Sequence, residues 1–390
     1  MAKTKARPQK YFGQFREPLV KLPSLVDSQI ASFRQFVQGG AERVFGEFFP
    51  ITDHSNKKFG LELVKFNFGE LRWDEHYAKK AMRTYETPLS VVVRLKNKTT
   101  GTEKEQEIFL ADFPWMTAHG SFIINGVERI VVPQLARSYG VFFETVPYKG
   151  KSYFAAKIIP SRGVWIELES DPDGGIYVKI DRKRRFPVTS LLRVLGLATE
   201  KEIKARFEKS RAASEAMAAT LAHDHAQTLE EAYVEIYRRL RDGDIATPDS
   251  AREHVQSILS AERYDLSKVG RFHFNRRFGL STSQKDLSRS TLNADDVARI
   301  ITHIAESNDT PSALPDDIDH LGFRRVRFVG ELLEQRMRVG LSRMKRNIQD
   351  RMAMVDPTTT LPIHFVNPRP FQAAVREFFT TDQLSQLMQQ

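Results

Sequence analysis

Apolar positions along the chain change their period twice. Val26, Ile30, Phe33 and Val37 recur at helical spacing between Ser24 and Gly39-Gly40, which predicts a helix stopped by the glycine pair. Strand-like runs follow at Leu61–Phe68, Val91–Leu95 and Glu107–Leu110, with Lys96-Asn-Lys-Thr-Thr-Gly101 as the turn between the last two. Phe122-Ile-Ile-Asn125-Gly126-Val-Glu-Arg-Ile-Val-Val132 reads as a hairpin, because both turn residues of a type I′ turn need positive φ. Further strands are predicted at 153–159, 164–169 and 176–180, the last two flanking Asp171-Pro-Asp-Gly-Gly175.

From about residue 188 the period becomes helical. Thr199 with Glu202 and Thr228 with Glu231 fit capping boxes, and Asn293 with Asp296 opens another helix. Thr247-Pro248 reads as an N-cap followed by proline at the first helical position. Ser307–Pro315 is the linker candidate. Leu333, Met337, Met344, Ile348 and Met352 predict a long amphipathic helix after it. Separate strand and helix clusters without βαβ alternation give an α+β class.

The 390 residues suggest two or three domains, and 41% hydrophobic residues suffice to bury real cores. Lys plus Arg outnumber Asp plus Glu by 59 to 49, which favours a polyanionic partner or an acidic neighbouring subunit. The absence of cysteine removes disulfides, thiolate metal sites and thiol nucleophiles. No run of 18 apolar residues exists, and the N-terminal Met1–Lys10 has cations without an apolar core behind them, unlike a signal peptide. These features point to a cytoplasmic protein.

Several motifs invite chemistry. Gly150-Lys151-Ser152 ends like a phosphate loop, but Thr145 stands where the loop needs glycine, so a basic turn competes. His223-Asp224-His225 offers metal ligands without an evident third, against a helix connection. Asp316, Asp317 and Asp319 are either magnesium-type carboxylates or loop and cap residues. Lys179-Ile-Asp-Arg-Lys-Arg-Arg185 and the eight cations Arg324, Arg325, Arg327, Arg336, Arg338, Arg343, Lys345 and Arg346 are phosphate contacts or solvated faces. Trp165 is either core or a stacking platform for an unpaired base.

Gly120–Phe143, Ile158–Trp165, Ile180–Pro187, Arg263–Arg276, Asp316–Gly330, Phe371–Phe379 and Gln383–Gln386 together resemble the β subunit of bacterial DNA-directed RNA polymerase, in order and from end to end. Residues 1–21 read as a basic N-terminal arm, and the resemblance implies a discontinuous protrusion domain (22–133 and 330–380). It further implies an inserted lobe domain (134–329) and the start of a fork region (381–390). The family's subunit is several times longer, so the resemblance implies a truncated chain, inactive alone, within a nucleotidyltransferase. A subunit split into two chains, or a free-standing DNA-binding or regulatory module, are the alternative readings. Magnesium would be held by the partner subunit in the complete enzyme, with no cofactor or catalytic residue in this part.

Site roles follow from the same resemblance. Trp165 falls where a tryptophan stacks on a nontemplate base at the downstream edge of the bubble. Arg137, Ile318, Asp319 and Arg324 match a pocket for a flipped guanine, and Asp181 and Arg182 match a nucleic-acid-facing part of the lobe. Phe323 stands where relatives carry a polar residue. Rifamycin-type inhibitors bind relatives near residues matching Arg129, Val132, Gln386, Leu387, Met388 and Gln389; Leu387 and Gln389 replace the common Phe and Asp. The transcription-repair coupling factor docks on an edge strand matching Glu103, Lys104 and Glu105, where Glu103 replaces an apolar residue. Implied partners are DNA (nontemplate strand and downstream duplex), the α, β′ and ω subunits and a sigma factor, with no membrane.

Overall fold

The computed structural model describes residues 23–53, 56–241, 243, 246–355 and 361–387. The predicted arm at 1–21 therefore lies outside the described residues. The chain is α+β and divides into two compact units, one of residues 1–134 with 326–390 and one of residues 135–325.

The first unit is built on a four-stranded antiparallel sheet, in the order Ile51–Thr52, Phe59–Phe68, Glu86–Asn97, Thr102–Pro114. Strand Glu86–Asn97 alternates buried and half-buried positions throughout, so Leu89, Val91, Val93 and Leu95 form one apolar face. The long helix Val329–Met354 and the helix Arg369–Thr380 complete the same core, with Met337, Met344, Ile348 and Met352 buried beside Phe371 and Phe379. Asn125 and Gly126 take φ of 51° and 81° between the paired residues Ile124 and Val127, as the hairpin reading requires.

The glycine pair does not stop the first helix. Asp27–Gln35 passes through a π-helical turn, Phe36–Gly40, directly into Ala41–Gly46. The reason is tertiary. A Cβ on Gly40 would lie 2.6 Å from the Glu334 carboxylate, so glycine here admits a close approach to the long helix.

The second unit is a five-stranded antiparallel sheet, in the order Phe186–Pro187, Ile176–Ile180, Ile166–Ser170, Lys151–Ile159, Gly140–Tyr148. Its core joins these strands to helices that include Val188–Val194, Leu229–Leu240, Ser267–Arg277 and Ala294–Asp309. All three capping boxes form, at Thr199/Glu202, Thr228/Glu231 and Asn293/Asp296, and Thr247 caps the proline-started helix.

The linker expectation needs correction. Helix Ala294–Asp309 runs through its first three residues, Ser307 is buried, and the Asn308 side chain accepts from the Phe154 N–H at 2.7 Å. The amphipathic face of the helix extends past the polar residues that suggested its end.

One buried cation organises this unit. Arg271, fully shielded, donates to the Arg289 and Thr291 carbonyls at 2.8 and 2.6 Å and pairs with Asp296 at 2.9 Å. It ties helix Ser267–Arg277 to the capping box of Ala294–Asp309. Removing one partner of such a buried pair typically costs about 3–5 kcal/mol.

Candidate nucleic-acid interface

The residues expected to meet nucleic acid fall into two groups in the second unit. The first is built around Trp165, which is half-buried and immediately precedes strand Ile166–Ser170. Strand Ile176–Ile180 pairs with it, Ile166 opposite Ile180, and then turns through Asp181 and Arg182. Both turn residues have positive φ, 53° and 57°. The Lys183 N–H closes the turn on the Ile180 carbonyl at 3.1 Å, and the Asp181 N–H donates to the Trp165 carbonyl at 2.9 Å. The turn is thus fastened to the backbone of the tryptophan. The Arg182 guanidinium lies 5.1 Å over the indole centroid.

The segment before Trp165 is fixed from below. Arg162 exchanges backbone hydrogen bonds with Asp265, and Gly163, at φ 116°, rests against Tyr264. A Cβ there would meet the Tyr264 ring at 2.9 Å and the Arg263 carbonyl at 3.0 Å, so only glycine fits. Tyr264 is buried, its hydroxyl makes no hydrogen bond, and burial pushes its pKa up.

The second group gathers Arg137, Ile318, Asp319 and Arg324. Strands Gln134–Arg137 and Arg324–Arg327 pair, and the Ser138 N–H donates to the Phe323 carbonyl at 2.8 Å. That bond falls one residue after Arg137 and one residue before Arg324. Asp319 is 79% exposed on its side chain and pairs with Arg324 at 3.1 Å. Arg137 makes no ion pair among the described residues. The Arg324 Nε is buried without a hydrogen-bond partner.

The loop carrying Ile318 and Asp319 is held by its first carboxylate. Asp316 accepts from the Phe143 N–H at 2.8 Å and from Arg277 at 2.5 Å, while its own N–H donates to the Phe143 carbonyl. Asp317 accepts from the Asp319 N–H at 3.0 Å. The three aspartates are therefore not equivalent: two shape the loop and Asp319 faces solvent. Phe323, the departure from the polar residue of relatives, packs edge-on against Phe142 at 5.7 Å. Arg325 lies 4.2 Å over the Tyr139 ring. Sequence reasoning missed Tyr139, Arg277 and Gly163, because each acts through a partner distant in the chain.

The remaining candidates resolve into structure. Lys149 and Gly150 form the two-residue tip of a hairpin, with Tyr148 opposite Lys151, so the Gly-Lys-Ser stretch is a basic turn. Asp224 forms an ion pair with Arg193 at 2.5 Å, both nearly fully shielded. No group of three His, Asp or Glu side chains suited to a metal occurs among the described residues. In the basic run 179–185, Lys179 pairs with Glu169 and Arg185 with Asp171. Of the eight cations at 324–346, Arg324, Arg327, Arg336 and Arg338 pair with carboxylates and Arg325 stacks on Tyr139. Arg343 and Arg346 are exposed.

A model of the RNA polymerase Rpb2 family, domain 2, matches residues 137–327, which carry both groups. The DNA-directed RNA polymerase subunit beta of Chloroflexus aggregans is 41% identical over 402 aligned positions, covering 95% of this chain. Nearly the whole chain is thus similar to an RNA polymerase β subunit, and residues 137–327 match a domain of that family. The chain spans about one third, 33%, of the length of that curated relative.

Two other sets of residues that the β-subunit resemblance singles out lie in the first unit. Strand Ser385–Leu387 joins the hairpin, with Leu387 opposite Arg129 and Gln386 opposite Ile130, and the Val132 N–H donates to the Leu384 carbonyl at 2.8 Å. Arg129 donates to the Thr380 and Ser385 carbonyls. Arg129, Val132, Gln386 and Leu387 are thus brought together, while Met388 and Gln389 lie outside the described residues. Glu103, Lys104 and Glu105 are exposed on Thr102–Pro114, an edge strand. Glu105 and Glu103 face Arg94 at 2.6 and 3.8 Å across the ladder.

Proposed function

We propose that this chain is the N-terminal portion of the β subunit of DNA-directed RNA polymerase. In this reading the unit of residues 135–325 is the lobe. The other unit is the protrusion. Together they form cleft wall that meets downstream DNA and the displaced nontemplate strand. The observation that carries the reading is the half-buried Trp165 with the Arg182 cation over its ring, inside the segment matched to an RNA polymerase domain.

The chemistry suits an unpaired strand. Cations attract phosphate without regard to sequence, and an aromatic face stacks on any base. At the second group a carboxylate, Asp319, accepts from the N–H edge of a flipped guanine, flanked by Arg137 and Arg324. Extracting a base from the stack costs a few kcal/mol, which such a pocket offsets. Bond formation belongs to the complete enzyme, where Mg²⁺ is held by the partner subunit. The further partners are the α, β′ and ω subunits and sigma, in the cytoplasm. Arg129, Val132, Gln386 and Leu387 would contribute to a rifamycin-type pocket, and Glu103–Glu105 to contact with the coupling factor. No helix among the described residues is long and apolar enough to cross a membrane.

The test is Trp165→Ala in the assembled polymerase. Permanganate reactivity of nontemplate thymines at the downstream edge and pausing there should change, while bond formation is largely spared. Unaltered reactivity and pausing would remove the nontemplate role.

A further inference from the structure

We infer that Arg182 is a positioning residue for Trp165: its guanidinium covers one indole face, so the platform takes a single base on the other. This rests on Trp165 being a stacking platform, and goes beyond it in assigning a one-sided geometry and the residue that imposes it.

Three observations carry the inference. First, the backbone is unusual. A two-residue turn with positive φ at both positions favours Asn-Gly, and an arginine in the left-handed region costs about 1–2 kcal/mol. Arg182 nevertheless occupies it at φ 57°. An arginine at a strained position points to a use for its side chain rather than for the turn. Second, the turn is tied to its target. The hydrogen bond from Asp181 to the Trp165 carbonyl couples turn and indole through one peptide, so the guanidinium at 5.1 Å is placed by backbone.

Third, the contact differs from its neighbour in the same basic run. Arg185 also lies over a ring, Tyr177 at 4.7 Å, but its charge is neutralised by Asp171. Arg182 has no ion pair among the described residues. Its cation is therefore free to attract the phosphate of the strand whose base it helps to seat. With one face covered by a planar cation, two bases cannot sandwich the indole, and the indole cannot intercalate between them. A single base is held at the junction of paired and unpaired DNA.

The experiment uses polymerase assembled with the complete β subunit and 2-aminopurine placed at successive nontemplate positions across the downstream edge. In the wild type one position is strongly quenched by stacking. Arg182→Gly relaxes the turn, since glycine is at ease with positive φ, yet removes the guanidinium. It should lower the stacked-to-unstacked ratio at that position about two- to fivefold. Arg182→Lys should restore part of the loss. A role in the turn alone predicts instead that Arg182→Gly quenches as the wild type does, and that result overturns the inference. Trp165→Ala separates the two levels. If it abolishes quenching while Arg182→Gly leaves it intact, only the role of Arg182 falls. If it leaves quenching intact, the platform itself falls, and the inference with it.

Discussion

Asp316 and Phe143 hold each other twice: the Phe143 N–H donates to the Asp316 carboxylate and the Asp316 N–H to the Phe143 carbonyl, each at 2.8 Å. Arg277 adds a third bond to the same carboxylate while stacking 5.0 Å over the Phe143 ring. The loop that presents Ile318 and Asp319 is thereby fixed to an edge strand of the second unit's sheet. Asp316→Ala strands a backbone N–H and a half-shielded guanidinium. It should destabilise residues 135–325 by about 2–3 kcal/mol in denaturant unfolding. A change below about 0.5 kcal/mol would show that the loop is held by other contacts.

Gly330 should be the least replaceable glycine of the long helix. A Cβ there would lie 2.4 Å from the Ser32 carbonyl oxygen, and backbone cannot swing aside. Gly330→Ala should cost about 2–3 kcal/mol through overpacking. Gly39, with nothing within 4 Å of its imagined Cβ, is the control. Gly39→Ala should be neutral or slightly stabilising by helix propensity. Equal effects of the two substitutions would contradict the packing account.

Three half-buried histidines give the second unit a pH dependence. His254, His273 and His303 all titrate below their ordinary value of 6.5, burial first and nearby arginines second. The unfolded chain therefore takes up protons before the folded one as pH falls. The stability these groups contribute is complete above pH 6.5 and declines below it, before most carboxylates titrate. The urea midpoint of the second unit should fall between about pH 7.5 and 5.5, and His303→Gln should reduce the fall. A midpoint that rises on acidification would reverse the sign and refute the assignment.

Asp319 should be dispensable for folding and needed for base preference. Its exposed ion pair with Arg324 is worth about 0–1 kcal/mol, so breaking it leaves the fold intact. Asp319→Ala in the assembled polymerase should weaken discrimination for guanine at one nontemplate position by about 1–3 kcal/mol, read from complex lifetimes on templates varied at that base. Unchanged dependence on the base would count against the pocket.

Local structure was legible where the signal was local. The Asn125-Gly126 hairpin, the three capping boxes and the apolar face of Val329–Met354 each depend on residues a few positions apart. Gly39-Gly40 misled because the glycines serve a contact with Glu334, nearly three hundred residues away, rather than a helix end. The linker reading failed for a similar reason: Asn308 is polar because it hydrogen-bonds strand Lys151–Ile159. Site geometry was the least legible. Composition marks Arg182 as one of several cations, and only the turn and its hydrogen bond to Trp165 single it out. Likewise residues 322–346 read as one basic stretch, whereas Arg324 and Arg327 pair with nearby Asp319 and Glu331, and Arg336 and Arg338 pair with Asp382 and Glu47 from distant parts of the chain.

The central claim is that Trp165 faces the displaced strand. The most direct measurement replaces Trp165 with a photo-crosslinking phenylalanine derivative in the assembled polymerase, on an open complex with each DNA strand labelled separately. The account predicts crosslinking to the nontemplate strand at the downstream edge of the bubble, lost when the DNA is closed duplex. Crosslinking to the template strand, or none to DNA in the open complex, would contradict it.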